Sequence, residues 1–147
     1  MSKYYTPELE EFHVGFEYES KRGAYDGTVK TKEQFDNEKW QYDFCPEGDL
    51  PYIERALNGT NAKNGLCHLR VKYLDREDIE SLGWKFEEEC PAWISFNMPG
   101  EKNLTLYKES KKVEILIPEN PLQYYYSFAG TIKNKSELKK LLKQLGI

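Results

Sequence analysis

The clearest alternation of apolar and polar positions lies in the last third of the chain. In 93–98, Ile94, Phe96 and Met98 fall on one face and Trp93, Ser95 and Asn97 on the other, before Pro99-Gly100 stops the run. Leu104 and Leu106 alternate with Thr105 and Tyr107; after a polar turn at 109–112, Val113, Ile115 and Ile117 alternate again as far as Pro118. This period of two predicts half-buried strands, with 104–108 and 113–117 joined as a hairpin. A further strand is expected over 124–132, with Tyr124, Tyr126, Phe128 and Ile132 on one face, Tyr125 on the other, and Gly130 marking a bulge or a close backbone approach.

The period then changes. Leu138, Leu141, Leu142 and Leu145 recur at helical spacing and form one apolar stripe. Asn134 is placed as N-cap, Glu137 as its capping-box partner and Gly146 just past the helix end. Such a helix packs its stripe across the sheet.

Upstream, Phe12, Val14, Phe16 and Tyr18 predict the apolar face of a strand over 12–19, with His13, Gly15, Glu17 and Glu19 opposite. Shorter strands are expected at 28–31, 40–44, 67–74 and 84–87. Helices are expected at 49–57 and, capped by Asp75 and stopped by Gly83, at 76–82. Asn58-Gly59 and Asn64-Gly65 bracket a loop, and the polar residues 1–11 read as an arm. The order is strands with short inserted helices, then a meander, then a helix. It predicts an α+β fold: an antiparallel meander sheet with a C-terminal amphipathic helix packed on it. No composition break divides the 147 residues, so 1–147 is expected as one domain.

Charge and composition narrow the function. A mean hydropathy of -0.80 and the lack of a long apolar run predict no membrane span; with no basic, apolar leader pattern at the start, a cytoplasmic location is expected. The net charge of -4 disfavours long nucleic acid as a partner, although residues 133–147 carry five Lys and one Glu. Cys45, Cys67 and Cys90 form neither a disulfide framework nor a four-cysteine zinc site. No phosphate loop, nucleophile elbow or metalloprotease motif is present, and no cofactor is expected.

Three sets of residues carry candidate chemistry. His13, Glu17 and Glu19 share a predicted strand face, but His13 and Glu17 are about 13 Å apart along a strand, too far for one ion. Cys67 and His68 are neighbours that point to opposite faces of a strand, so they make no nucleophile–base couple. The aromatic set Trp93, Tyr107 and Tyr125, with Trp40, is the binding candidate: it lies opposite the strongest apolar stripes, either open to a ligand or packed under the N-terminal strands. Tyr is abundant, with 11 residues, which suits both binding surfaces and partly buried sheet cores.

Three blocks also carry a resemblance. Glu11-Phe-His-Val-Gly-Phe-Glu-Tyr-Glu19, Val71-Lys-Tyr-Leu-Asp-Arg-Glu-Asp-Ile-Glu-Ser-Leu-Gly-Trp84 and the segment from Phe128-Ala-Gly-Thr-Ile132 to Gly146-Ile147 cover about a third of the chain. The chain resembles small proteins of no assigned activity encoded by tailed phages and prophages of gut Bacteroidetes. The resemblance implies a phage origin and expression in the bacterial host cytoplasm, and assigns no catalytic or binding residue. The expected function is a non-enzymatic accessory protein that binds a host or phage protein, or itself. The alternative is a nucleotide or nucleic-acid binder, including one that sequesters a signalling nucleotide. A small metal-dependent hydrolase using Glu17 and Glu19 is the third reading.

Overall fold

The alternating segments become antiparallel strands in two sheets, one of order β1-β4-β2-β3 and one that runs β5-β6-β7-β8-β9. The structure, a computed structural model, describes residues 2–21, 33, 37, 39–45, 53, 54, 57, 69–120 and 123–147. Its Cα positions group into two compact units, Met1–Tyr73 and Leu74–Ile147. Each holds one sheet and one buried cluster, and the α+β class is as the periodicity predicts.

The first unit contains β1 (Tyr4–Tyr5), β2 (Glu17–Lys21), β3 (Trp40–Phe44) and β4 (Leu69–Lys72). β2 pairs with β3 from Glu17↔Phe44 to Lys21↔Trp40, and with β4 at Glu19↔Arg70 and Ser20↔Leu69. One face of this sheet is buried: Tyr18, Leu69 and Val71 close over Phe12, Phe16, Cys45 and Ile53. Phe12 packs against Phe16 and Tyr18, with ring centroids 4.8 and 5.4 Å away. Burying each such aromatic or aliphatic side chain contributes about 1.5–3 kcal/mol.

β2 begins at Glu17 rather than Phe12. The Phe16 N–H donates to the His13 carbonyl at 2.9 Å, and Gly15 turns the chain at φ 85°, a left-handed conformation that glycine adopts without strain. Phe12 and Phe16 still reach the core through that turn, but Val14 is thrown outward. The segment read as an arm is tied down as well. Tyr4 and Tyr5 pair with Lys72 and Val71, a 3-10 turn spans Leu9–Glu11, and Glu11 accepts from both the Glu8 N–H and the Tyr5 hydroxyl at 2.7 Å. Two residues of edge pairing are too short for alternation to show. The strand expected at 28–31, most of the helix at 49–57, the loop at 58–65 and Cys67-His68 lie outside the described residues.

The second unit opens with α1 (Arg76–Ser81). The Asp75 carboxylate accepts from the Asp78 N–H at 3.0 Å and Asp78 returns the contact, so these acids serve as the cap. The meander follows: β5 (Lys85–Glu89), β6 (Trp93–Met98), β7 (Lys102–Tyr107), β8 (Lys112–Asn120) and β9 (Gln123–Thr131). The expected hairpin is β7–β8, with Leu104↔Ile115 and Leu106↔Val113 in register. β8 runs through Pro118, which was expected to end it. β7 pairs with β8 only as far as Leu116, so the missing N–H falls where the strand is paired on one side.

α2 (Lys135–Gln144) completes the unit. Leu138 and Leu142 are buried in one cluster with Ile94, Phe96, Leu104, Leu106, Val113 and Ile115, and Leu141 and Leu145 pack beside them. Asn134 caps the helix by accepting from the Glu137 N–H at 2.9 Å. Glu137 reaches back one residue further than expected, to the Lys133 N–H at 2.6 Å. At the other end the Ile147 N–H donates to Leu142 and the Gly146 N–H to Lys143, a Schellman closure with Gly146 at φ 73°. Lys139, Lys140 and Lys143 stay exposed on the outer side.

Candidate binding faces

The open face of the four-stranded sheet is built by strand parity. Residues two apart on a strand share a face, and direct cross-strand partners do too. Glu17, Glu19 and Lys21 of β2 therefore stand with Phe44, Tyr42 and Trp40 of β3, with Arg70 and Lys72 of β4, and with Tyr4 of β1. This face is opposite the one that buries Tyr18, Leu69 and Val71.

Arg70 organises it. Its Nε donates to the Glu19 carboxylate at 2.8 Å, and its Cζ lies 3.7 Å from the Tyr4 ring centroid and 4.1 Å from that of Trp40. The guanidinium thus lies over two aromatic rings and is held at its Nε, an arrangement suited to its planar, delocalised charge. The Lys21 Nζ stands 5.0 Å from the same Trp40 ring. Further along β3, Tyr42 and Phe44 are 65% and 56% exposed. The Tyr42 hydroxyl donates to Glu17 at 2.5 Å. Burial of the hydroxyl, this hydrogen bond and the negative charges of Glu17 and Asp43 push the Tyr42 pKa from 10.0 to about 12.

The expected aromatic set divides. Trp40 belongs to the first unit, where its companions are Arg70 and Lys21. Trp93 and Tyr107 belong to the second and are direct partners across β6 and β7, both half-buried. Beside them the Tyr107 hydroxyl donates to Glu114 at 3.0 Å and the Lys112 Nζ donates to the same carboxylate at 2.5 Å. Tyr125 sits in β9 opposite Ile117. The register shifts between Ile115↔Phe128 and Leu116↔Tyr126, with Ser127 as the extra residue, so the alternation that linked Tyr125 to Tyr107 is broken between them.

The set His13, Glu17 and Glu19 does not assemble. His13 lies in the turn before β2, with its Nδ1 3.1 Å from the Glu11 carbonyl, while Glu17 and Glu19 are engaged by Tyr42 and Arg70. Among the described residues no three His, Cys, Asp or Glu side chains are grouped to hold a metal ion. Cys45 is buried and Cys90 half-buried, and neither is in a disulfide. No described helix is long and apolar enough to cross a membrane.

Tyr4, Arg70, Tyr42 and Phe44 are the members that reading the chain missed. The alternation Trp40, Tyr42, Phe44 was visible; the strand order that brings Arg70 and Tyr4 to it was not. Comparison with protein-family models, with curated proteins and with solved structures finds no match to this chain.

Proposed function

We propose that the chain is a non-enzymatic binding module, encoded by a phage and working in the cytoplasm of the bacterial host, that meets its partner through the open face of the four-stranded sheet. The observation that carries this reading is the exposure of Tyr42 and Phe44 at alternate positions of β3, beside the stacked Arg70. Exposed aromatic side chains grouped on one face with an Arg are common anchors of binding surfaces. The hydrolase reading is disfavoured because both carboxylates it needs are engaged. The phage setting rests on the resemblance of the three sequence blocks.

Native mass spectrometry of tagged full-chain protein drawn from host cells tests the proposal. A bound mass, or a multiple of the 17.3 kDa chain, is expected for the wild type and for Trp93→Ser, and is expected to be lost in Phe44→Ser. A bare monomer in every case removes the proposal.

A further inference from the structure

We infer that the clamped Arg70 guanidinium is the anion-binding point of this face, and that its ligand is a nucleoside phosphate whose base stacks on Tyr42 or Phe44. The inference rests on the open sheet face being the binding face, and adds the chemistry of the occupant.

Arg70 braces the sheet without using up its donors. Its Cζ lies over the Tyr4 and Trp40 rings and Glu19 takes its Nε. Its two Nη groups remain: no described residue accepts from them, and they are not among the buried polar atoms left unsatisfied. The side chain is 25% exposed, which leaves these donors for water or a ligand. Two parallel N–H donors at fixed spacing are the geometry that a phosphate or carboxylate accepts as a fork. Clamping removes the rotamer entropy that a free Arg loses on binding.

Charge on the face is balanced. Among the described residues its part open to water carries Arg70 and Lys72 with Glu17 and Glu19, while Lys21 is buried. Such a face suits one small anion taken by hydrogen bonds at Arg70. A long polyanion would meet the Glu17 carboxylate at Tyr42 and the acidic bulk of the chain.

The rings narrow the ligand from an anion to a nucleotide. Arg70, Glu19 and Tyr42 are one row across three strands, which sets the Arg70 and Tyr42 backbones about 10 Å apart. Phosphate alone has no use for exposed rings beside its receptor. A planar base does, and stacking on such rings tolerates any base.

The test is titration of the full chain with AMP, adenosine and inorganic phosphate, followed by ligand-observed NMR and calorimetry. AMP is expected to bind with an affinity that falls as salt rises, and adenosine and phosphate to bind about tenfold more weakly. Arg70→Lys keeps the charge but loses the fork, and is expected to weaken AMP about tenfold. Phe44→Ser, at an exposed position, is expected to weaken it about fivefold with an unchanged melting temperature. Failure of all four nucleoside monophosphates to bind at millimolar concentration overturns the inference, as does AMP binding that Arg70→Lys leaves unaltered. The two readings separate through Phe44→Ser. If nucleotides fail while that variant still abolishes the complex seen by native mass spectrometry, the face is right and the occupant is wrong. If the complex survives the variant, the face itself is wrong.

Discussion

Arg70 on β4 reaches over β2 to stack on Trp40 of β3, 4.1 Å from the ring centroid. With Tyr4 of β1 on its other side, one side chain ties all four strands of the sheet. Arg70→Lys keeps the charge and loses both planar stacks, each worth about 0.5–1 kcal/mol at a partly exposed site. The expected loss of stability is therefore about 1–2 kcal/mol, read as a lower urea midpoint at unchanged slope. Glu19→Gln removes an ion pair that is a quarter exposed and is expected to cost under about 1 kcal/mol. A larger loss for Glu19→Gln than for Arg70→Lys would mean that the ion pair, not the stack, holds the strands.

The Tyr42 hydroxyl supplies an alkaline prediction. Its folded pKa, about 12, lies above the ordinary 10.0, so the neutral phenol is favoured by folding. The stability it contributes is complete below pH 10.0 and is lost as pH rises through about 12. Carbon NMR of labelled tyrosine is expected to show this residue ionising last among the exposed rings. Glu17→Gln removes the accepting carboxylate and its charge, and should bring the Tyr42 titration back toward 10.0. A titration that Glu17→Gln leaves in place would assign the shift to burial alone.

Glu114 titrates with the opposite sign. The hydrogen bond from Lys112 holds its carboxyl below the ordinary 4.5 against the opposing effect of burial, with the Tyr107 hydroxyl adding to the depression. A depressed carboxyl contributes stability above its ordinary value, lost as pH falls below 4.5 and through the lowered folded value. Lys112→Met should raise the Glu114 titration more than Tyr107→Phe does, as followed by carboxyl carbon shifts. The reverse order would make the Tyr107–Glu114 contact the dominant one on this face.

The parts of the fold legible in the chain are those where one face of an element is buried over several repeats. β6, β7 and β8 show unbroken alternation because Ile94, Phe96, Leu104, Leu106, Val113 and Ile115 all enter one cluster; the α2 stripe shows for the same reason. Where a few residues decide the outcome, the pattern misleads. Gly15 turns an apparently continuous strand, Ser127 interrupts the alternation in β9, and Tyr4–Tyr5 form a strand of only two residues. The candidate face is harder still. A lone Arg between Leu69 and Val71 looks like the solvent side of any strand. Only the non-sequential order β1-β4-β2-β3 puts Tyr4 and Trp40 on either side of it. Periodicity reports what each strand buries, and carries no information about which strand lies next to which.

Gly130 gives the sharpest packing test. It sits in β9 opposite Val113, and a Cβ built there would lie 2.9 Å from Cζ of Phe128, a ring that packs against the core cluster of the second unit. The expected bulge lies at Ser127 instead, and in place of the expected close backbone approach it is the ring two residues away that comes near Gly130. Gly130→Ala must displace that ring, and overpacking of this kind costs about 1–3 kcal/mol. Against this, Ala restricts the unfolded chain more than Gly does, which returns about 0.4–1 kcal/mol. The steric term is the larger, so net destabilisation is expected in thermal or urea unfolding. Phe128→Leu shortens the obstructing group and loses apolar contact of its own. If the clash is the cause, the two changes are less than additive, and the double variant is more stable than the sum of the singles predicts by about 1 kcal/mol. Strict additivity would place the cost of Gly130→Ala in the backbone of β9 rather than in the Phe128 ring.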